Sequence, residues 1–431
     1  MSRTAGGSLV VVTSLFPEPN ETFIVRELGV LCRRGFALTV LSLRPRPAMV
    51  ADPEARALLS HVAYPDGAVR VLVAAGGTAV RHPVRTVRLL GRALVDATRA
   101  ARSPSLAAKQ LAIVPIVLGF VRQITADVSR IHAHFASVPT AAARMLAAFT
   151  GRPYSFTAHA WDIHVPENKQ QLPPRIHDAA FVVTCTGFNW TVLREVAARA
   201  EDAAKIHLSH HGLDLAAYVP PTTRHPHLIV GGASLTEIKG LHHLLDACAR
   251  LRAWGLPFEC VLVGQGPERA QLEERVRMHG LGDAVSFTGQ LPHQAFLDRL
   301  RDATVLAHPS IVDRYGAMDG IPNTILEAMA VETPVVATRL SGIPEVIEHE
   351  RTGLLVDPHD VEGLAAALAR VLRDPELASR LGTAARAVVL ERFDLERNVA
   401  RLVDLFAGEV PSELEAPSTL RRAPSRPARP V

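Results

Sequence analysis

Cysteine is scarce in this 431-residue chain: Cys32, Cys185, Cys248 and Cys260 lie far apart, and no Cys-x-x-Cys pair occurs. That pattern excludes a disulfide scaffold or a zinc ribbon and fits a reducing cytosol. Aromatic residues make up only 5% and do not interleave with basic ones, so no recognised nucleic-acid-binding module is present. No uninterrupted apolar run reaches the roughly 18 residues of a membrane-spanning helix. The longest candidate, Leu111 to Val121, is too short, which argues against a polytopic membrane protein. What is present is ordinary for a folded chain, with 48% hydrophobic and 21% charged residues. The length suggests two or three domains, each able to bury a core.

The net charge of +4 hides an asymmetry: residues 1–220 carry +9 and residues 221–431 carry −5. Nine basic residues fall between Ala68 and Gln123 (Arg70, Arg81, Arg85, Arg88, Arg92, Arg99, Arg102, Lys109 and Arg122), against the single acid Asp96. This segment reads either as a solvated helical face or as a surface that docks on an anionic membrane. At the N-terminus, Arg3 and the run Leu9-Val10-Val11-Val12 imitate a signal peptide. The run is short and β-branched and lacks a small-residue cleavage site, so it reads as a buried first strand.

A helix from Asn20 as N-cap through Arg34, stopped by Gly35, leads to a second strand at Ala37–Leu43. Further strands are expected at Arg130–Phe135, Tyr154–Thr157 and Ala180–Thr184. A second unit opens with a strand at His227–Ala233. It continues through strands at Glu259–Val263, Ala284–Thr288, Thr304–His308 and Pro334–Thr338, alternating with helices. Alternation of this kind predicts an α/β fold of two Rossmann-like domains that bind ligands at the carboxyl ends of their strands. The Pro-, Arg- and Ser-rich tail, 411–431, is expected to be disordered.

Chemistry concentrates in DRYGAMDGIPNTILE, Asp313 to Glu327. A strand ends near His308, the chain loops through two glycines, and a helix starts near Asn323, where free N–H groups and the helix dipole suit a phosphate. Asp319 and Glu327 lie eight residues apart. They read either as a pair of ligand-binding carboxylates or as a loop cap and an ordinary helix carboxylate. His132 and His134 alternate along a strand; metal binding is one reading and a packed strand end the better one, because no Glu-x-x-His or Cys cluster accompanies them. Gly264-x-Gly266 is followed by Arg269 where a dinucleotide fingerprint needs its third glycine, which argues against a dehydrogenase.

Asp319-x7-Glu327, within DGIPNTILEAMA, TPVVAT and SGIPEVIEHERTGLLVDP, resembles the donor-site signature of GT-B retaining glycosyltransferases of family 4, with Asp in place of the usual first Glu. In order along the chain, KIHLSHHGLDLAAYVP resembles that family's interdomain stretch, LTEIKGLHHLLDA its Lys-Gly phosphate-binding turn, and LVGQGPE with VSFTGQLP its nucleotide-contacting loops. FPEPNETFIVRELGVL and SFTAHAWDIH resemble the exopolysaccharide and colanic-acid-type branch.

The resemblance, over about residues 8 to 408, implies a GT-B protein with an acceptor domain at 1–218 and a nucleotide-sugar donor domain at 219–393. A helix near 394–408 would cross back to the first domain. It implies transfer of a sugar from a nucleotide-diphosphate donor to a saccharide or lipid-linked acceptor, with retention, in the cytoplasm or at the inner membrane face. The resemblance also implies catalytic roles for His159, Lys239 and Asp319. Donor contacts would come from Ser234, Gly264, Gly289, Leu291, Gly320, Ile321, Pro322, Asn323, Thr324 and Glu327. Asn20, Glu21, Thr22 and Asp162 would meet the acceptor or diphosphate, although Asn20 to Thr22 equally suit simple helix capping.

Ser234 stands where the family commonly has an Arg, which leaves Lys239 to counter the diphosphate. No Asp-x-Asp occurs, so no metal and no cofactor is expected. Two other readings stay open: glycosylation of a soluble natural product, and a non-catalytic nucleotide-sugar-binding assembly subunit.

Overall fold

The computed structural model describes residues 7–18, 21–47, 49–50, 52–65, 67–100, 103–232 and 234–409. Asn20 and the 411–431 tail therefore lie outside the described residues. Two compact units emerge. The first holds the chain up to Cys185, Asn189–Gly212 and the C-terminal helix Leu395–Ala407; the second holds Leu213–Asp394 together with Thr186–Phe188.

The first unit is built on seven parallel strands: β1 (Ser8–Thr13), β2 (Ala37–Ser42), β3 (Val62–Ala63), β4 (Val128–His134), β5 (Tyr154–Ala158), β6 (Val182–Thr184) and β7 (Ile206–Leu208). Their order, β3-β2-β1-β4-β5-β6-β7, reverses its winding direction between β1 and β4. Val10, Val11 and Val12 are fully buried, as a β-branched run in a sheet covered on both faces must be. The second unit has six strands: β8 (Leu228–Gly232), β9 (Glu259–Val263), β10 (Val285–Gly289), β11 (Val305–His308), β12 (Val335–Thr338) and β13 (Leu354–Val356). Their order, β10-β9-β8-β11-β12-β13, reverses between β8 and β11. In each unit the loops leaving the two strands at the reversal diverge to opposite faces and open a crevice, the usual ligand position in such sheets.

Sequence periodicity located the long strands but not β3, β7 or β13. These have two or three residues each, too few to display alternation. The first helix begins at Thr22, with Glu21 rather than Asn20 in the N-cap position and no side-chain cap. The C-terminal helix packs Leu395 and Val399 against Leu28 and Leu31 of the helix Thr22–Arg33 in the first unit's core. Arg33 and Arg34 both reach Glu396, at 3.0 and 3.1 Å.

Segment 67–123 forms a helical layer: Gly67–Arg81, Pro83–Arg99, Pro104–Ala112 and Val114–Phe120. Its one acid is buried. Asp96 receives Arg144 Nη1 at 3.0 and 2.9 Å, and Arg144 Nε donates to Asp178 at 2.7 Å. The outward face therefore keeps Arg70, Arg81, Arg85 and Arg88 together with Val69, Leu72, Val73, Val80, Val84 and Val87, all exposed. The expectation that no segment is long and apolar enough to span a membrane needs correction. Pro104–Gln123, 20 residues with a mean hydropathy of 1.6, meets that test by length and composition. Isolated polar residues such as Lys109 and Gln110 interrupt the run without lowering its average enough. The segment is divided at Ile113, between the helices Pro104–Ala112 and Val114–Phe120, and 39% of its most apolar window is buried within this fold.

Removing one partner from a buried, hydrogen-bonded ion pair strands the other charge. Asp96→Ala should therefore lower stability in urea denaturation by about 3 kcal/mol. Arg99→Ala, which removes an exposed partner of the same carboxylate, should stay within about 0.5 kcal/mol.

Candidate active site

In the second unit the winding reversal brings together the loop after β8 and the loop after β11. Lys239 projects from the first, on a one-turn 3-10 segment, Glu237–Lys239. Gly240 follows with φ +59°, and a Cβ there would lie 2.0 Å from the carbonyl oxygen of Pro309. Only glycine permits that approach. The β8 loop is thereby held backbone-to-backbone against the β11 loop, and Ile311 N donates to Ile238 O at 2.9 Å.

Across this contact Lys239 Nζ meets both oxygens of Asp319, at 2.8 and 2.9 Å, and each side chain is only 13% exposed. Ser310 Oγ donates to the same carboxylate at 2.8 Å, and His308 Nε2 lies 3.5 Å from it. Burial alone would raise the Asp319 pKa. The Lys239 charge and the His308 contact outweigh burial and hold this carboxyl well below the usual carboxylate range. Burial pushes His308 down, which favours its neutral form.

The helix Asn323–Ala330 starts after Pro322. Its first amide bond to Pro322 O comes from Ile325, at 3.0 Å, so the Asn323 and Thr324 amides lie ahead of the ladder. Thr324 Oγ1 sits 3.4 Å from His308 Nδ1. One turn further on, Glu327 is buried, and its Oε1 receives Tyr218 Oη at 3.2 Å and lies 3.0 Å from His293 Nε2. Gly320 and Ile321 precede the helix, half-buried. Ser234 is half-buried, 3.4 Å from Thr236 Oγ1. Gly264 follows β9 and Gly289 ends β10, with φ of +112° and +73°, and Gly264 N donates to Gly289 O at 2.9 Å; Leu291 is partly buried against the second unit's core.

In the first unit His159 follows β5 and is buried. Its ring is surrounded by others: Phe23 at 4.9 Å, Phe135 at 4.4 Å and a stacked His211 at 5.1 Å. Phe135 holds a left-handed backbone, φ 73°, at the end of β4, which turns its ring onto His159. Burial, then His211, His134 and His132, hold His159 well below the usual imidazole range.

Asp162, expected at an acceptor or diphosphate contact, is instead fully buried. Its carboxylate accepts from the amides of His159 at 3.1 Å, Ala160 at 2.9 Å and Ala136 at 2.5 Å, so it orients the loop that carries His159. Thr22 opens the first helix and is half-buried. Glu21 is pushed up to about 8 by burial, then by Glu18 and Asp162.

His132 and His134 are fully buried on one face of β4, and His132 is bonded to Ser155 and Thr157 at 2.8 and 3.0 Å. Among the described residues three clusters in this unit, Glu27–His132–His134, His159–Cys185–His211 and the more exposed His177–Glu201–Asp202, have candidate ligand atoms within 4.8 Å of one another.

The sequence had not singled out His308, Ser310, Tyr218, His293 or Glu27. His308 was findable, as the last residue of a strand at the reversal. Tyr218 and His293 reach Glu327 from 109 and 34 residues away, a pairing that no local pattern carries.

Two doubly wound parallel units, each with its polar residues at a winding reversal, define the GT-B class. Residues 223–388 match the family described as Glycosyl transferases group 1. The putative colanic acid biosynthesis glycosyltransferase WcaL of Salmonella typhimurium is 36% identical over 206 residues, 47% of this chain and 51% of that protein. The chain thus spans about half the length of WcaL. The amylovoran biosynthesis glycosyltransferase AmsK of Erwinia amylovora is 27% identical over 416 residues, 93% of this chain and 100% of that protein. Among solved structures, Anabaena Alr3699/HepE in complex with UDP-glucose matches with a TM-score of 0.69 at 17% identity, over 93% of this chain and 99% of that one. Sucrose-phosphate synthase from Thermosynechococcus elongatus matches at 0.70 and 20% identity, over 93% and 98%.

An unfolded glutamate ionises near 4.5, whereas folded Glu21 holds its proton up to about 8. Its contribution to stability therefore falls as pH rises between those values and is level above them. Glu21→Gln should leave the melting temperature unchanged at pH 4 and raise it at pH 8.5, as read by differential scanning calorimetry.

Proposed function

We propose that this protein transfers a sugar from a nucleotide-diphosphate donor to a saccharide acceptor, with retention of anomeric configuration, in the assembly of an exopolysaccharide or other surface glycan. The observation that carries this reading is the buried Lys239–Asp319 pair at the β8/β11 reversal, with Glu327 one turn into the adjoining helix. UDP and UDP-glucose in the HepE structures, and the polysaccharide pathways named for WcaL and AmsK, support it.

The two domains of this reading are 1–218, joined by the helix near 394–408, for the acceptor, and 219–393 for the donor. A diphosphate entering beside Lys239 competes with Asp319 for the ammonium. The lysine charge and the amides of Gly320, Ile321, Asn323 and Thr324 then stabilise the charge that grows on the departing phosphate as the anomeric C–O bond breaks. Asp319, released from Lys239, accepts hydroxyls of the transferred sugar, and Glu327, oriented by Tyr218 and His293, accepts those of the ribose. Gly264, Gly289 and Leu291 line the nucleotide, Ser234 takes the position next to the diphosphate, and His159 faces the sugar near its reacting carbon. The reaction needs no metal, because Lys239 and backbone amides take the place of a cation clamp.

Purified protein should turn over at least one of a panel of nucleotide sugars, with activity that survives EDTA. No transfer or hydrolysis with any donor, or strict metal dependence, counts against the reading. Glu327→Ala should lower kcat/KM by about a hundredfold or more. Lys239→Met should do the same with the fold retained by circular dichroism; near-normal activity in both would remove the site assignment.

The acceptor in this reading is lipid-linked, met at the inner face of the membrane. The support is the face of 67–100 that combines Arg70, Arg81, Arg85 and Arg88 with exposed Val69, Leu72, Val73, Val80, Val84 and Val87. Liposomes rich in anionic lipid should float the protein, and replacing Arg81, Arg85 and Arg88 by Glu should leave it in the pellet fraction. Absence of flotation would favour a soluble acceptor.

A further inference from the structure

Three imidazoles form a chain in the first unit that ends on a carboxylate. His211 Nε2 lies 3.1 Å from His159 Nδ1, and His159 Nε2 lies 3.4 Å from His134 Nδ1. The remaining nitrogen of His134, Nε2, faces Glu27 Oε1 at 3.3 Å. These last two atoms are buried, and neither makes a well-aligned hydrogen bond among the described residues, to each other included, so what joins them is proximity and charge. Glu27 stands on the helix Thr22–Arg33, His134 at the end of β4, His159 after β5 and His211 after β7. Four separate segments thus contribute one group each to a single line of donors and acceptors.

The protons in such a line are not independent. Each nitrogen-to-nitrogen contact needs one N–H and one lone pair, and a neutral histidine has one of each. With one ring proton per histidine, only two patterns satisfy both contacts. In one, every proton is on Nε2: His211 donates to His159, His159 donates to His134, and His134 turns its remaining N–H toward the nearby Glu27 carboxylate. In the other, every proton is on Nδ1, all donations run the opposite way, and the Nε2 lone pair of His134 is left against a carboxylate oxygen. That repulsion, at a buried contact with a carboxylate, selects the first pattern.

We infer that Glu27, acting through His134, is a positioning residue that fixes one proton pattern, Nε2–H, in His134, His159 and His211. His159 then gives its only ring proton to His134 and receives one from His211, so turning its ring breaks two hydrogen bonds at once. Neutral rings suit this arrangement: burial is the largest influence on His159 and His211 alike, and it brings His211 down to about 4. The role for catalysis rests on the proposed transfer reaction, in which His159 meets the sugar; the proton pattern itself does not. It also fits the packing of Phe23 against both His159 and His211, at 4.9 and 4.4 Å, which restricts the same two rings from the helix that carries Glu27.

The test uses the full chain labelled with 15N-histidine. Two-bond 1H–15N correlation spectra distinguish protonated from unprotonated ring nitrogens, and the wild-type protein without any donor should show Nε2–H on all three residues. A proton on Nδ1 of His159, or a doubly protonated His134 that donates from Nδ1, would overturn the inference with no substitution required. Glu27→Gln, nearly isosteric, removes the charge that selects between the patterns, and His159 should then show a mixture of the two tautomers. With an accepted donor, Glu27→Gln should lower kcat about tenfold, the effect typical of a group that orients another, with KM for the donor within about twofold. An unchanged His159 spectrum together with unchanged kcat in Glu27→Gln would overturn the inference. Absence of turnover with every donor, alongside the single Nε2–H pattern, would defeat the transferase reading and leave the Glu27 assignment standing.

Discussion

A lysine that spans a winding reversal to reach a buried aspartate is the interaction on which the second unit's site depends. Lys239 and Asp319 are 80 residues apart and come from loops on opposite sides of β8 and β11. Their contact requires the parallel order on both sides of the reversal, the left-handed Gly240 and the descent of the β11 loop through Ser310. A carboxylate this enclosed would be expensive to keep ionised without a cation, and a lone lysine would suffer likewise. Each makes the other tolerable. An anion that draws Lys239 away must therefore leave Asp319 with a new partner, which in the proposed reaction is the hydroxyls of the sugar.

The two units reach a comparable end by different chemistry. The second gathers a charged pair, free helix amides and a carboxylate held by Tyr218 and His293. The first gathers neutral rings, with Asp162 spent on three backbone amides and Glu27 as the carboxylate at the end of the imidazole line. Exposed basic charge in the first unit gathers on the helical layer, where the one acid, Asp96, is consumed by Arg144. The interior keeps a cation of its own: Arg175, fully buried, donates to the carbonyl of Ala136, whose amide Asp162 holds together with that of His159.

The fold was largely legible because its long strands are short apolar runs flanked by helical periodicity, and because consecutive βαβ units leave few ways to order a parallel sheet. Asp319 and Glu327 drew attention through their spacing and the turn chemistry around them, and Lys239 through the family resemblance of its turn. Their mutual arrangement was not legible: that Asp319 would neutralise Lys239 in the free protein depends on how two loops pack, and neither loop encodes the other. Asp162 was misread for a related reason. An acid two residues past a strand-end histidine looks available on paper, and only the fold reveals the three amides that claim it. The apolar segment 104–123 was underestimated because counting uninterrupted residues ignores how little Lys109 and Gln110 lower an average.

The contact between Gly240 and Pro309 has a consequence for how such a site can diversify. With two backbones in touch and no room for a methyl group, the spacing between the β8 and β11 loops is a fixed dimension of the scaffold. In the proposed reading, variation in what the pocket accepts then arises from what hangs off that frame, at positions such as Ser234 and Leu291, or from the length of the carboxyl-bearing side chain at 319. A descendant with a different ligand would keep the glycine and change its neighbours, much as a lock is rekeyed by exchanging pins inside an unaltered cylinder.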